Sequence, residues 1–246
     1  MQVYVIIPAA GLGTRMGAAP HSAPNAAPGM APAPKQFLEL LGVPILIHTL
    51  RAFLSVPAVQ HVFVAVRPNE TGRVRAQVHE YALDDRTTTV AGGETRQGSV
   101  GNALRALQAG DDDIVLVHDA VRPLIDRATI ERTIEAVAKH GAAIVGVPAI
   151  DTIKQVERTA DGALISTTIP RERIMLAQTP QGFRCGLLRR IFREAEADGF
   201  LGTDEASLAE RAGVPVAVVM GAAHNFKITQ PGDLELAEFY LQHSGH

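Results

Sequence analysis

The sequence predicts an α/β fold in which an open, mostly parallel sheet carries helices on both faces. Short, continuously apolar runs recur along the chain, as expected of strands that are buried on both sides. They cover residues 3–7, 62–66, 114–117, 143–147 and 216–219. Between them lie segments whose apolar residues are spaced three or four positions apart, a pattern typical of one buried helix face. These stripes fall within residues 46–54, 100–107, 130–138 and 188–195. A repeated order of strand and helix favours a parallel sheet.

Composition excludes several classes of protein. The 246 residues include 23 lysines and arginines against 26 acidic residues, a net charge of −3 that offers nucleic acid no basic surface. The lone cysteine, Cys185, excludes an intrachain disulfide and a cysteine-cluster metal site. The apolar runs are too short to cross about 30 Å of hydrocarbon, so we expect no membrane span. We predict a cytoplasmic protein with one domain over residues 1–246.

Two segments interrupt the alternation of strands and helices. Residues 17–34 are rich in alanine and proline, with few large side chains to offset the entropy of ordering them, so we expect a flexible insert. Residues from about 150 to 172 have no helical stripe and contain Asp161-Gly162, a strong hairpin signal. This second segment predicts a protruding β-arm that needs another surface to lie against, such as a second subunit.

A glycine-rich loop, residues 8–17, follows the first strand. Gly11 and Gly13 permit close approach of the backbone, so that successive amides can face a phosphate. A dinucleotide-binding loop would need a small residue in place of Met16 and an acid near Arg67, and a Walker loop would need Gly-Lys-Ser/Thr. A purely structural turn remains an alternative, but it would leave Arg15 as an unexplained charge.

Asp119 follows another predicted strand, where its carboxylate would face the crevice at the strand ends. A hard cation shared with a polyphosphate suits such a carboxylate, although a structural cap is a competing interpretation. His118 alternates to the opposite side and is expected to pack in the core. Lys35, taken alone, reads as a solvated lysine.

Three further segments have both structural and functional interpretations. In residues 90–99 the paired glycines could approach a base, while Thr95 could cap the next helix with or without a nucleotide contact. Residues 203–205 read as a cap, Thr203, followed by two acids that favour the helix dipole. Lys227 lies between Phe226 and Ile228, and alternation turns it away from their face, into either a site or solvent.

The order of these motifs resembles that of the 2-C-methyl-D-erythritol 4-phosphate cytidylyltransferases, and the resemblance covers nearly the whole chain. The motifs are Pro-Ala-Ala-Gly-x-Gly-x-Arg-Met, Pro-Lys-Gln, Gly-Gly-Glu, His-Asp-Ala-x-Arg-Pro, Asp-Thr-Ile-Lys, Thr-Pro-Gln, Thr-Asp-Glu-Ala and Asn-Phe-Lys-Ile-Thr. The glycine loop is common to many sugar-phosphate nucleotidylyltransferases, whereas the joint order is specific. The resemblance implies a Rossmann-like sheet and a Mg²⁺-dependent reaction of CTP with methylerythritol phosphate that releases pyrophosphate.

The resemblance also implies roles for individual residues. Arg15 and Lys35 match the residues that stabilise the transition state, whereas Arg171 and Lys227 match those that position the incoming phosphate. Asp119 matches an aspartate linked to the magnesium ion. The matching substrate contacts are Ala9, Ala10, Gly11, Leu12, Gly13, Gly93, Glu94, Ser99, Asp119, Arg122, Thr152 and Thr203. The family implies a homodimer in which Arg122, Thr152 and Arg171 serve a site shared between subunits.

The chain departs from the family pattern at two places. The insert at residues 17–34 lengthens a connection that is usually only a few residues long, and Glu94 replaces a more usual aspartate. A cytidylyltransferase for another polyol phosphate, such as ribitol 5-phosphate, and a catalytically silent nucleotide-sensing module are the alternative functions. A dehydrogenase is disfavoured by Met16.

Overall fold

The structure, a computed structural model, describes residues 1–11 and 34–243. Its strands are β1 (Val3–Pro8), β2 (Glu39–Leu40), β3 (Val43–Pro44), β4 (Val59–Val66), β5 (Thr87–Ala91), β6 (Ile114–Val117), β7 (Ala142–Pro148), β8 (Ile153–Thr159), β9 (Gly162–Ile169), β10 (Met175–Arg184) and β11 (Ala217–Met220). Its helices are α1 (Ile45–Leu54), α2 (Thr71–Glu80), α3 (Arg96–Ala106), α4 (Arg127–His140), α5 (Cys185–Ala197), α6 (Glu205–Arg211) and α7 (Pro231–His243). Within the described ranges, no helix has the length and apolar character needed to span a membrane.

Seven strands form one sheet in the order β11-β7-β10-β6-β1-β4-β5. The pairs β1–β4, β1–β6, β4–β5 and β7–β11 are parallel, whereas β10 runs antiparallel to both β6 and β7. The prediction of a mostly parallel α/β sheet is therefore confirmed. Strand β10 was not predicted, because Gln178, Thr179 and Gln181 interrupt its apolar character although all three are buried.

Alternating side chains of the sheet belong to two separate cores. On β1, Val5 and Ile7 pack on one face in a cluster that also contains residues of α1, α2 and α4. Tyr4 and Ile6 pack on the other face with residues of α3, α5 and α6. Helices therefore cover both faces, which explains why the central strands read as continuous apolar runs.

The strand order reverses beside β1, which lies between β4 and β6. The chain continues from β1 towards β4 and β5 on one side, and β6 begins the other side of the sheet. In parallel sheets a crevice opens at the carboxyl ends of the strands at such a point. The backbone is pinned there by hydrogen bonds from Ala9 N to Ala65 O at 2.7 Å and from His118 N to Ile6 O at 2.9 Å.

Strands β8 and β9 form an antiparallel hairpin outside the main sheet, with Ile153 opposite Ile169. Within the hairpin only these two residues are partly buried, and every other residue of the two strands is exposed. Val156, Leu164 and Ile165 present apolar side chains to solvent. The two strands are therefore held by their mutual pairing, with little support from the core of this chain. The predicted insert lies almost entirely outside the described residues.

Candidate active site

A cavity of about 350 Å³ opens at the carboxyl ends of β1 and β6. Within the part of the chain that the structure describes, its walls come from five segments that are far apart in sequence. They are residues 8–11, 35–36, 93–96 with Ser99, 119–121 and 227–229. The crevice predicted from the strand order thus gathers most of the motifs that the sequence singles out.

Asp119 lies at the centre of the charged groups in this cavity. Its carboxylate accepts hydrogen bonds from Arg96 Nε at 3.3 Å, Arg122 Nε at 3.3 Å and Lys227 Nζ at 3.1 Å. Burial alone would raise the pKa of Asp119, but the positive charges of Lys227, Arg96 and Arg122 hold that pKa well below its usual range. The carboxylate is therefore ionised at any physiological pH.

His118, next to Asp119, is fully buried, which confirms the prediction that it packs in the core. Its Nε2 lies 3.0 Å from the carbonyl oxygen of Arg122 and its Nδ1 lies 3.0 Å from Thr179 Oγ1. Because a carbonyl can only accept, Nε2 donates and Nδ1 accepts from the Thr179 hydroxyl. The same hydroxyl oxygen accepts from Asp119 N at 3.1 Å. His118 and Thr179 together fix the backbone that carries Asp119.

Arg96 is a site residue that the sequence did not single out. Its Nη1 donates to both carboxylate oxygens of Glu205, at 2.7 and 3.0 Å, while its Nε donates to Asp119. Burial favours loss of its proton, but Glu205 and Asp119 raise the pKa of Arg96 above its ordinary value. A positive charge in the first turn of a helix interacts unfavourably with the helix dipole. The position of Arg96 directly after the predicted cap was therefore the feature of the sequence that could have identified it.

The interpretation of residues 203–205 needs correction. Asp204, rather than Thr203, caps α6, because its side chain accepts from Ser207 N at 2.9 Å in a reciprocal capping box. Glu205 does not face solvent near the helix dipole but is buried against Arg96. Thr203 is exposed and does not line the cavity.

Lys35 is buried rather than solvated, since its relative exposure is only 8%. It begins a single 3₁₀ turn, Lys35–Phe37, and its Nζ donates to Thr229 O at 2.8 Å. The next residue, Gln36, donates from Nε2 to Ala9 O at 2.7 Å. The turn is therefore tied to the loop after β1 on one side and to Thr229 on the other.

Lys227 lines the cavity, as the site alternative predicts, although 42% of its side chain remains exposed to solvent. Its neighbour Ile228 is fully buried and packs in an apolar cluster with Leu40 and Ile45. Lys227 contacts Asp119 and lines the same cavity wall as Thr229.

The loop of residues 92–99 is built around Ser99 and Thr95. The prediction that Thr95 caps α3 is confirmed, since its hydroxyl accepts from Gly98 N at 2.9 Å. Gly93 N donates to Ser99 Oγ at 3.1 Å. A Cβ on Gly93 would lie 2.8 Å from the backbone of Gly98, so only glycine fits this close approach. Gly93, Glu94 and Ser99 all line the cavity.

The structure does not bring every predicted residue to this cavity. Arg171 lies in an exposed 3₁₀ turn after β9, where its guanidinium pairs with Glu172 at 3.8 Å. Thr152 is exposed at the base of the same hairpin. Both lie outside the cavity lining formed by this chain. Leu12, Gly13 and Arg15 lie outside the described residues.

No group of three or more His, Cys, Asp or Glu side chains that could hold a metal ion occurs within residues 1–11 and 34–243. Asp119 is the ionised carboxylate oxygen donor at the strand ends that suits a hard cation. A cation bound here would therefore need most of its ligands from a substrate polyphosphate.

Comparison with known proteins gives a consistent assignment. A family model described as 2-C-methyl-D-erythritol 4-phosphate cytidylyltransferase matches residues 3–243. A protein of that name from Acidobacterium capsulatum is 67% identical over 242 residues, with 98% of each chain covered. One from Solibacter usitatus is 49% identical, covering 98% of this chain and 96% of its own length.

Solved structures agree with the sequence comparisons. The enzyme of that name from Francisella tularensis is 35% identical with a TM-score of 0.78, covering 97% of this chain and 99% of that one. The enzyme from Thermus thermophilus is 33% identical with a TM-score of 0.75, covering 98% of this chain and all of that one.

Proposed function

This chain belongs to the 2-C-methyl-D-erythritol 4-phosphate cytidylyltransferases, which transfer the cytidylyl group of CTP to methylerythritol phosphate, and we propose that the reaction takes place in the cavity beside Asp119. The observation that carries the proposal is the gathering of cationic side chains at this cavity. Among the described residues, Lys35, Arg96 and Lys227 line it. Arg96, Arg122 and Lys227 contact Asp119, and the buried Lys35 donates to Thr229 O.

The chemistry explains why cations, rather than a general base, are needed. The attacking group is a phosphate monoester, whose second pKa is about 6, so it is already largely a dianion at neutral pH. Its approach to a triphosphate is opposed by charge repulsion, and negative charge accumulates around the α-phosphorus before pyrophosphate leaves. Fixed positive charges that hold both reactants in line lower that barrier.

We assign the two reactants to opposite sides of the cavity. On the nucleotide side, backbone groups of residues 9–11 and the loop with Gly93, Glu94 and Ser99 contact CTP, while Lys35 and Arg15 stabilise the charge that develops on the triphosphate. On the acceptor side, Lys227 and Arg171 hold the attacking phosphate in line. This division follows the roles that the family resemblance implies, and it is supported by the position of Gly93 and Lys227 in different segments of the same cavity wall.

The reaction of this family generally depends on a divalent cation, and we propose Mg²⁺ with Asp119 as its protein ligand. The fit rests on the chemistry of the donor, since Asp119 offers an ionised carboxylate at the strand ends. When bound, the ion would supply positive charge to the α-phosphate and triphosphate oxygens.

We also propose a homodimer, because Arg171 and Thr152 flank the base of an exposed hairpin and lie outside the cavity of their own chain. The hairpin would then carry both residues to the cavity of the partner subunit. Arg122 serves its own chain instead, since it contacts Asp119 and donates to Asn225 O at 2.8 Å. A cytoplasmic location remains a prediction based on Cys185, a free thiol.

Pyrophosphate release tests the proposed function directly. The purified chain should release pyrophosphate from CTP with methylerythritol phosphate when Mg²⁺ is present, and little from ATP, GTP or UTP or after chelation. Ribitol 5-phosphate should be a poor acceptor. A higher kcat/KM for ribitol 5-phosphate would favour the alternative acceptor, and CTP binding without turnover of either acceptor would favour a nucleotide sensor.

Subunit mixing tests the shared site. If Lys35 and Arg171 of one site come from different subunits, a heterodimer of Lys35→Ala and Arg171→Ala chains contains one intact site. When equal amounts of the two variants are dissociated and reassembled, half of the dimers are mixed and each mixed dimer has one intact site of two. The mixture should then show about a quarter of the wild-type rate. If each chain supplies its own Arg171, mixing will restore nothing.

A further inference from the structure

The first turn of α7 is connected to the cavity by a chain of hydrogen bonds that begins at Asp233. Its Oδ2 accepts from Thr229 N at 2.6 Å, Thr229 Oγ1 at 3.0 Å and Gln230 N at 2.8 Å. Both donors of Thr229 are thus committed to one carboxylate oxygen. This arrangement leaves the orientation of the peptide group of Thr229 little freedom.

The other end of this connection is Lys35. The carbonyl oxygen of Thr229 accepts from Lys35 Nζ at 2.8 Å, and both residues line the cavity. The contact joins residues 194 positions apart in sequence, and it occurs on a lysine whose exposure is only 8%. The direction of the Thr229 carbonyl therefore helps to set the position of the Lys35 ammonium group.

The segment that Asp233 holds also carries the second lysine of the cavity. Ile228 is fully buried and its N donates to Val121 O at 2.9 Å, which anchors the middle of the segment. On one side of this anchor Lys227 contacts Asp119, and on the other side Thr229 contacts Lys35. One short run of residues thus supports a cation on each proposed side of the reaction.

Asp233 is suited to orienting Thr229 because its carboxylate stays ionised. Burial would raise the pKa of Asp233, but hydrogen bonds from Thr229 and Gln230 and the charge of Lys35 hold it below its ordinary value. Charge-assisted hydrogen bonds to backbone amides are stronger than those between neutral groups. A carboxylate at this position therefore fixes Thr229 more firmly than a neutral acceptor would.

We propose that Asp233 is a positioning residue for catalysis, which acts through the carbonyl of Thr229 to hold the Lys35 ammonium group in its working place. The inference rests on the proposed function, because it requires Lys35 to act on the triphosphate. Lysine is a flexible side chain with considerable rotamer freedom. A displacement of about 1 Å at a reacting group can cost on the order of a hundredfold in rate.

A double-mutant cycle tests this assignment. Asp233→Ala should lower kcat by about ten- to a hundredfold in the otherwise wild-type chain. In the Lys35→Ala background the same change should have almost no further effect, because the group through which Asp233 acts is gone. Asp233→Asn keeps a neutral oxygen acceptor for Thr229 and should recover part of the lost kcat, less than the carboxylate supplies.

Glu238→Ala provides a matched control on the same helix. Glu238 accepts from Leu41 N at 3.5 Å and ties α7 to the β2–β3 turn, away from the cavity. This variant should change the melting temperature without changing kcat. Melting curves of all variants show whether α7 remains folded.

The outcomes separate this inference from the proposed function. Unchanged kcat in Lys35→Ala would remove Lys35 from the mechanism, and the role of Asp233 would fall with it. A large loss in Lys35→Ala with no loss in Asp233→Ala would overturn the positioning role alone. Equal, additive losses from Asp233→Ala in both backgrounds would also overturn it, since they would show a general structural effect of the cap.

Discussion

The cavity and the β8–β9 hairpin differ in how the fold supports the residues they carry. In the cavity, Asp119 and Arg96 are each fixed by two or more charged or polar partners, and Lys35 is nearly buried. On the hairpin, Arg171 and Thr152 are exposed. The predicted site residues thus form two groups. Those of the cavity are fixed by contacts within this chain, whereas Arg171 and Thr152 face solvent.

This difference shows which functional assignments a single chain can support. The groups of the cavity are oriented by contacts within the monomer, so they are preorganised before a substrate binds. A residue on the hairpin gains a comparable orientation only when the hairpin lies against another surface. Substitutions in the cavity should therefore lower the activity of the subunit that carries them. The effect of substitutions in the hairpin on activity should depend on whether the chain has assembled with a partner.

The largest effect is expected for Lys35→Ala. Loss of this ammonium group should lower kcat on the order of a thousandfold, by analogy with cationic groups that stabilise phosphoryl transfer. We expect Arg15→Ala to behave in the same way. CTP binding should change little, and the enzyme should remain folded with a melting temperature lowered by the loss of the hydrogen bond from the buried Lys35 to Thr229. Lys139→Ala, an exposed lysine in the last turn of α4, is the matched control. A Lys35→Ala enzyme with wild-type turnover would contradict the proposal that the groups fixed in the cavity carry catalysis.

A large effect of pH on stability is expected from His118. Burial lowers its pKa to about 4, from an ordinary value of 6.5. As the pH falls below 6.5 the unfolded chain binds a proton that the folded chain refuses, so the free energy of unfolding should decrease by about 3 kcal/mol between pH 6.5 and 4.

Urea titrations at a series of pH values measure this decrease. His118→Gln should flatten the slope in that window, even if it lowers stability at every pH. Asp119 should reduce stability in a different pH window. Because its pKa is lowered in the folded chain, the stability it contributes is lost only as the pH falls below the ordinary pKa of an aspartate. A wild-type slope in His118→Gln would show that another group is responsible.

Arg171→Ala should have a smaller effect on activity. A charge-assisted hydrogen bond to the acceptor phosphate is worth roughly 2 kcal/mol, so kcat/KM for methylerythritol phosphate should fall by about thirtyfold. CTP affinity should be unchanged. Arg173→Ala, in the same exposed turn, controls for loss of a nearby charge. A fall in CTP affinity with normal acceptor affinity would show that Arg171 contacts the nucleotide and that its assignment to the acceptor is wrong.

The smallest effect is expected from Leu164→Ala at protein concentrations low enough to keep the chain monomeric. Leu164 is 67% exposed, so the free energy of unfolding should change by less than about 0.5 kcal/mol. Leu116→Ala, in the fully buried part of β6, should cost about 2–5 kcal/mol. A comparable loss at Leu164 would show that the hairpin is buried within the monomer.

Most of the central fold could be predicted from the sequence because apolar periodicity records burial. Strand β6 was predicted with its correct bounds, Ile114–Val117. Strand β10 and helix α2 could not be found in this way. The buried polar residues of β10 bond to groups far away in sequence, such as Gln181 to Asp204, and α2 buries only Val74 and Val78.

The candidate site was predictable where motifs follow strands, and less so where function depends on pairing between distant segments. Asp119 could be placed from its strand end, whereas alternation left Lys227 facing either a site or solvent. The pairing of Arg96 with Glu205, and the reach of Asp233 to Thr229, depend on contacts that only the folded chain makes. Arg171 and Thr152 are exposed and lie outside the cavity of their own chain. If they act in a partner's cavity, as we propose, their positions relative to substrate depend on an assembly that apolar patterns within one chain do not record.

The central carboxylate has a consequence for how tightly phosphates can be held. Arg96, Arg122 and Lys227 would repel one another at such close range without Asp119 among them. If substrate phosphates bind in this cavity, as we propose, they would compete with Asp119 for its cationic partners rather than meet uncompensated positive charge. That competition should keep affinity moderate and allow the anionic products to leave.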